Sequence, residues 1–107
     1  MISLTQTAVT ARALAALGHE ARLDVYRLLV RAGADGLIVN DIAAHTGLPA
    51  STLAHHLRTL VAAGLVEQER RGREVVNRVD YDVMHDTLAF LTDECCLGVS
   101  LVRENAA

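Results

Sequence analysis

Residues 39–64 read Val-Asn-Asp-Ile-Ala-Ala-His-Thr-Gly-Leu-Pro-Ala-Ser-Thr-Leu-Ala-His-His-Leu-Arg-Thr-Leu-Val-Ala-Ala-Gly, and the breakers in that run constrain the fold more than any other part of the chain. Ile38, Ile42 and Ala43 mark a short helix that Thr46-Gly47 ends. Leu48-Pro49 opens a second helix, proline being tolerated in a first turn, and Leu53, Leu57, Leu60 and Val61 recur at helical spacing until Ala63-Gly64 closes it. Two helices across a glycine-containing turn form a helix-turn-helix pattern. With the leucines inward, Ser51, Thr52, His55 and Arg58 lie on the outer side, where hydroxyls, an imidazole and a guanidinium reach base edges or phosphates. An ordinary helical hairpin with a solvated polar face would read the same way, so the flanking sequence has to separate the two.

Immediately downstream, Leu65 to Arg70 and Val75 to Tyr81 contain β-branched residues in partial alternation and flank Arg71-Gly72-Arg73-Glu74, which predicts a β-hairpin. Arg70, Arg71 and Arg73 at its tip give the layout of a winged helix whose wing touches phosphates. The alternative is a solvated turn in which they pair with Glu67, Glu69 and Glu74. Upstream, an Ala-rich helix from Ala8 with Leu14 and Leu17 ends at Gly18. The next begins at His19 and turns Leu23, Val25, Tyr26, Leu29 and Val30 inward and Arg22, Arg27 and Arg31 outward, until Ala32-Gly33 stops it; Asp35-Gly36 makes a turn. Asp82 is the expected N-cap of a last helix carrying Val83, Met84, Leu88, Phe90 and Leu91, with Gly98 just past its end. The first and last helices have no place in a helix-turn-helix core, and their apolar stripes suggest a two-fold dimer interface. The expected fold is therefore mainly α with a small β-hairpin: one winged helix-turn-helix domain over residues 1–107, dimeric through its first and last helices.

Charge distribution supports the nucleic-acid reading only locally. The formal net charge is −3, yet residues 45–78 hold five arginines against three glutamates, while residues 79–107 hold one arginine against six acids. Every positive residue is Arg, which favours forked hydrogen bonds to phosphate or carboxylate, although base composition of the genome would give the same bias. Aromatics make up 3 % of the chain, which argues against an aromatic-lined cofactor box. No apolar run approaches the ~18 residues of a bilayer span, and Met1 to Thr10 lacks a basic leader, so a cytoplasmic protein with no membrane partner is expected. No Gly-rich phosphate loop, complete metal site or nucleophile-base pair can be assembled, which argues against an enzyme. His56, beside Leu57, reads as a hydrogen-bonded structural histidine; His45 is ambiguous.

Cys95 and Cys96 are adjacent and are the only cysteines. Neighbouring Cα atoms stand ~3.8 Å apart, short of the ~4.4–6.8 Å of a relaxed disulfide, so two free thiols are expected. Thiolates select soft, thiophilic ions. Asp93, Glu94 and the end of the last helix oppose thiolate formation, the reverse of what a peroxide sensor needs. Two small hydrophobes filling a dimer interface remain the plain alternative.

Across nearly the whole chain the sequence resembles the ArsR/SmtB family of bacterial metal-responsive winged-helix repressors. The run from Leu14 to Leu29 looks like the family's opening helix, with Glu20 where proline is usual; Ser51 to Val66 resembles its recognition helix and following strand, and Arg70 to Glu74 its wing. The resemblance implies a homodimer on an inverted-repeat operator of double-stranded DNA, one helical turn between half-sites. The family's arsenic site in the first helix of the helix-turn-helix would need cysteines where Ile38 and Asn40 stand, and its zinc site on the last helix is matched only by Asp82, His85 and Asp86. Leu91 to Gly98 instead resembles an arsenic-responsive subgroup with a Cys-Cys pair there, whose third cysteine falls on Val102. That implies Cys95 and Cys96 as ligands of a trivalent arsenic species: arsenite, antimonite, or a substituted arsenical such as methylarsenite that brings its own carbon bond. A persulfide- or disulfide-responsive switch of the same fold, and a winged helix used for protein contacts, are the other expectations.

Overall fold

A computed structural model describes residues 5–101; the expectations placed on Met1 and on Val102 fall outside them. Helix α1 (Gln6–Leu17) starts two residues before the expected Ala8, because the Thr5 hydroxyl accepts the Ala8 N–H and caps it. Helix α2 (Glu20–Ala32) is capped by His19, whose Nδ1 accepts the Arg22 N–H at 3.4 Å. A 3-10 turn at Gly33–Asp35 leads into α3 (Val39–Thr46), which ends at the left-handed Gly47. Pro49 stands just outside α4 (Ala50–Ala62), its carbonyl accepting the Leu53 N–H. The hairpin is β1 (Val66–Arg71) and β2 (Glu74–Val79), antiparallel, and α5 (Tyr81–Thr92) closes the order.

The core lies where α1, α2, α3, α4 and the base of the hairpin meet. Leu29, Ile42, Leu53, Leu57, Leu60 and Leu65 are fully buried, packed with Ala13, Ala16, Val25, Tyr26, Val66 and Val79. Leu53, Leu57 and Leu60 point inward as their spacing predicts. On α2 the buried set narrows to Val25, Tyr26 and Leu29, while Leu23 stays exposed. Arg22, expected outward, instead lies half-buried and donates from Nη1 to the Ala16 carbonyl at 3.1 Å, using an unpaired acceptor at the end of α1.

Three boundaries differ from the sequence reading, the first two for a hydrogen-bonding reason. Arg71 and Glu74 face each other as the last pair of the ladder, leaving a two-residue turn, Gly72-Arg73. The N-cap of α5 is Asp80 rather than Asp82: its N–H donates to the Leu65 carbonyl and its carboxylate accepts the Val83 N–H, so one residue ends the strand and starts the helix. Finally, α5 stops at Thr92, before the cysteines, and Gly98 is not its terminal cap. Among the described residues, no helix is long and apolar enough to cross a membrane.

Candidate nucleic-acid interface and thiol pair

On α4, Ser51, His55 and Arg58 stand at i, i+4 and i+7 on one exposed face, and Thr52 flanks them half-buried. The opposite face is Leu53, His56, Leu57 and Leu60, all buried. The α3–α4 turn is tied by Thr46, whose hydroxyl donates to the Ile42 carbonyl at 2.8 Å and accepts the Leu48 N–H at 3.2 Å. That double use of one hydroxyl fixes the angle at which α4 leaves α3.

The hairpin carries Arg70, Arg71 and Arg73, all exposed. Successive strand residues point to opposite faces, so Arg70 shares the face of Gln68 and Asn77, and Arg71 that of Glu69 and Arg78. Arg71 is ion-paired with Glu69 at 3.2 Å; among the described residues Arg70 and Arg73 make no ion pair. The solvated-turn alternative thus describes Arg71 but not the other two.

Two wing fasteners went unread in the sequence. Arg78 bonds Glu69 at 2.7 Å, lies 3.7 Å from Glu67, and donates from Nε to the Ala34 carbonyl at 3.2 Å. The hydrogen bonds from Arg78 and then Arg71 hold the Glu69 carboxyl below its usual range. On the other face, fully buried Asn77 accepts from Gln68 at 2.7 Å and donates to the Leu37 carbonyl at 3.1 Å. Glu67 and Glu69 at alternate positions of a strand were the available clue to Arg78; nothing local marks Asn77.

Cys95 and Cys96 are both exposed, their sulfurs 3.1 Å apart. They sit in turns beyond α5, where the Cys95 N–H still reaches the Thr92 carbonyl at 2.9 Å and Cys96 adopts a left-handed φ of 67°. The Cys95 thiol is pushed up, first by its contact with the Cys96 thiol and then by desolvation. Among the described residues no three His, Cys, Asp or Glu side chains are grouped to hold a metal ion.

His56 is buried on α4, its ring 5.0 Å from that of His19 and 5.9 Å from that of His55. The expectation that it is hydrogen-bonded is not met: among the described residues its buried Nδ1 has no partner. His45 is exposed and, with Leu17, Leu28, Val30, Met84 and Leu88, lines an open groove of about 810 Å³.

A buried helix pair with one polar outward face, followed by a fastened basic hairpin, defines a DNA-binding protein of the winged helix-turn-helix class. A helix-turn-helix domain family model matches residues 17–69. A search of curated proteins gave no match. Among solved structures, an ArsR-like transcriptional regulator from Rhodococcus sp. RHA1 is 30 % identical over 84 % of this chain and 82 % of its own, with a TM-score of 0.74. A possible transcriptional regulator for arsenical resistance is 28 % identical over 76 % of this chain and 81 % of its own, TM-score 0.66. A homodimeric winged helix-turn-helix DNA-binding domain from Mycobacterium bovis is 25 % identical over 95 % of this chain and all of its own, TM-score 0.67. The chain belongs to the ArsR family of transcriptional regulators, a family of DNA-binding proteins and not of enzymes.

Proposed function

We propose that the protein is a cytoplasmic homodimeric repressor, one winged-helix unit per chain, released from an inverted-repeat operator when a trivalent arsenic or antimony species binds Cys95 and Cys96. Ser51, Thr52, His55 and Arg58 read the major groove, while Arg70, Arg71 and Arg73 hold flanking phosphates. What supports the inducer assignment most directly is the exposed pair of sulfurs 3.1 Å apart, close enough for one thiophilic atom to bond both. With only two thiols at hand, a substituted arsenical such as methylarsenite, whose third bond is already to carbon, suits the donor set better than arsenite or antimonite. The similar protein described in connection with arsenical resistance is in keeping with this class of inducer. The pair follows directly on α5, so clamping two neighbouring side chains would disturb the end of a helix that we assign to the dimer interface. Half-site spacing would then be lost. A coupling of ~1–3 kcal/mol between the two sites, about 5–150-fold in operator affinity, is the usual scale for such a device.

The test is an operator mobility shift challenged in parallel with arsenite, methylarsenite, antimonite, zinc and hydrogen peroxide. Release by the trivalent metalloids is expected, with methylarsenite acting at the lowest concentration. Cys95→Ser and Cys96→Ser should each retain operator binding and lose release. Release of either variant at wild-type concentrations would remove the site, and release by peroxide alone would favour a thiol switch.

A further inference from the structure

A buried, half-satisfied cluster ties the DNA-reading helix to the rest of the molecule. His56 projects from the inner face of α4 against the α1–α2 junction, its ring 5.0 Å from that of His19. The charged and titratable groups that bear on it are Arg22 and His19 across the junction and His55 on its own helix. Two atoms in this cluster are buried without a hydrogen-bond partner among the described residues: Nδ1 of His56 and Nε of Arg22. Arg22 is already committed through Nη1 to the Ala16 carbonyl, and His19 Nδ1 to the Arg22 N–H. Neither can swing away without uncapping a helix end.

We propose that His56 is a positioning residue for operator binding, seating α4 against the α1–α2 junction only while its imidazole is neutral, so that acidification unseats the recognition helix and weakens DNA binding. The inference rests on the reading of α4 as the DNA-contacting helix. A neutral imidazole offers one nitrogen as an acceptor, whereas an imidazolium has only donors. Arg22 Nε–H is itself only a donor. Protonation therefore adds a donor and a positive charge beside the Arg22 guanidinium in a cluster that already holds two unpartnered buried atoms, which is costly. Burial first, then Arg22, His19 and His55, lower the proton affinity of His56 from its ordinary value of 6.5. The sign follows: the seated state takes up its proton at lower pH than a released His56, so falling pH favours the released arrangement. An exposed histidine on the DNA face acts oppositely, gaining positive charge beside phosphates as pH falls.

The experiment measures operator affinity by fluorescence anisotropy between about pH 7.5 and about pH 5.5 at fixed salt, with circular dichroism confirming that the protein stays folded. Wild type should weaken severalfold on the acid side of this range, because the seated arrangement takes up its proton at lower pH than the released one. His56→Gln should bind at the upper pH and lose the acid-side fall. Should that variant fold poorly, Arg22→Gln supplies the second reading, shrinking the fall because it removes a positive charge that disfavours the imidazolium, while His55→Gln leaves an acid-side fall in place. Operator affinity that is flat or rises on acidification, or an acid-side fall that survives His56→Gln unchanged, overturns the proposal. Absence of operator binding at the upper pH would instead overturn the DNA-binding assignment beneath it.

Discussion

Gly36 shows how a single residue without a side chain sets the base of the wing. Its φ of 65° and ψ of −171° lie in a region that is essentially open only to glycine. A Cβ there would stand 2.5 Å from the Asn77 carbonyl oxygen and 2.8 Å from Cγ1 of Val76. The close approach exists because Leu37 and Asn77 exchange backbone hydrogen bonds of 2.9 and 2.8 Å, laying the chain before α3 along the free edge of β2. Gly47 also has a left-handed φ, of 74°, yet a Cβ there meets nothing within 4 Å. Gly47→Ala should therefore cost ~1–2 kcal/mol, the backbone penalty alone. Gly36→Ala should cost roughly 3 kcal/mol or more, since steric displacement of the edge adds to the same penalty. Urea unfolding of the two variants separates the contributions, and equal costs would mean that the Leu37 edge yields freely.

At the scale of elements, the hairpin is held from both faces while its tip stays open. Arg78, bonded to Glu69 and to the Ala34 carbonyl, fastens one face; Asn77, bonded to Gln68 and the Leu37 carbonyl, fastens the other. Arg70 and Arg73 carry no ion pair among the described residues, so each is free to neutralise a phosphate. Arg73→Ala should lower operator affinity and reduce the slope of log affinity against log salt by about one, the change expected when one phosphate is no longer neutralised. Arg78→Met should weaken binding by loosening the wing, with a smaller change of slope than Arg73→Ala. A slope left unaltered by Arg73→Ala would take that residue off the DNA. The identity and order of these elements were legible because glycines, prolines and 3.6-residue periodicity punctuate the chain. What was not legible depends on partners far away in sequence: Asp80 displaced Asp82 as the cap because its N–H closes the ladder at Leu65, and Arg22 turned inward for the Ala16 carbonyl. The inner position of His56 could be read from its place beside Leu57, but its neighbours His19 and Arg22 could not. The end of α5 differs from the expected one locally: the helix stops at Thr92, and the chain runs on through turns to Cys96, in a left-handed conformation that an L-residue rarely takes and that nothing in its side chain announces.

At the scale of the whole molecule, the described chain measures 65 × 31 × 23 Å, elongated for a protein of its size. Along α5 only Thr87 is buried, whereas Leu88 and Leu91 are each 57 % exposed and Phe90 is 38 % exposed. Val9 and Leu14 of α1 add further exposed apolar surface on a helix that contacts α5. A two-fold arrangement that covers these stripes removes them from water in both copies at once, at about 25 cal/mol for each Å² buried. A stable interface buries about 1,200–2,000 Å² in total, so the remaining affinity depends on how well the two helices pack, not on area alone. Leu88→Glu together with Leu91→Glu places four carboxylates at the proposed interface of two copies and should leave a folded monomer. Sedimentation should then show a single species of one chain's mass, and the melting temperature should stop depending on protein concentration. On the proposed inverted-repeat operator a lone chain would read only half of the site, so operator affinity should fall by orders of magnitude while weak, salt-sensitive binding to any duplex persists. A variant that remains dimeric would place the interface elsewhere, and the proposed route from Cys95 and Cys96 through the end of α5 to the DNA would be lost with it.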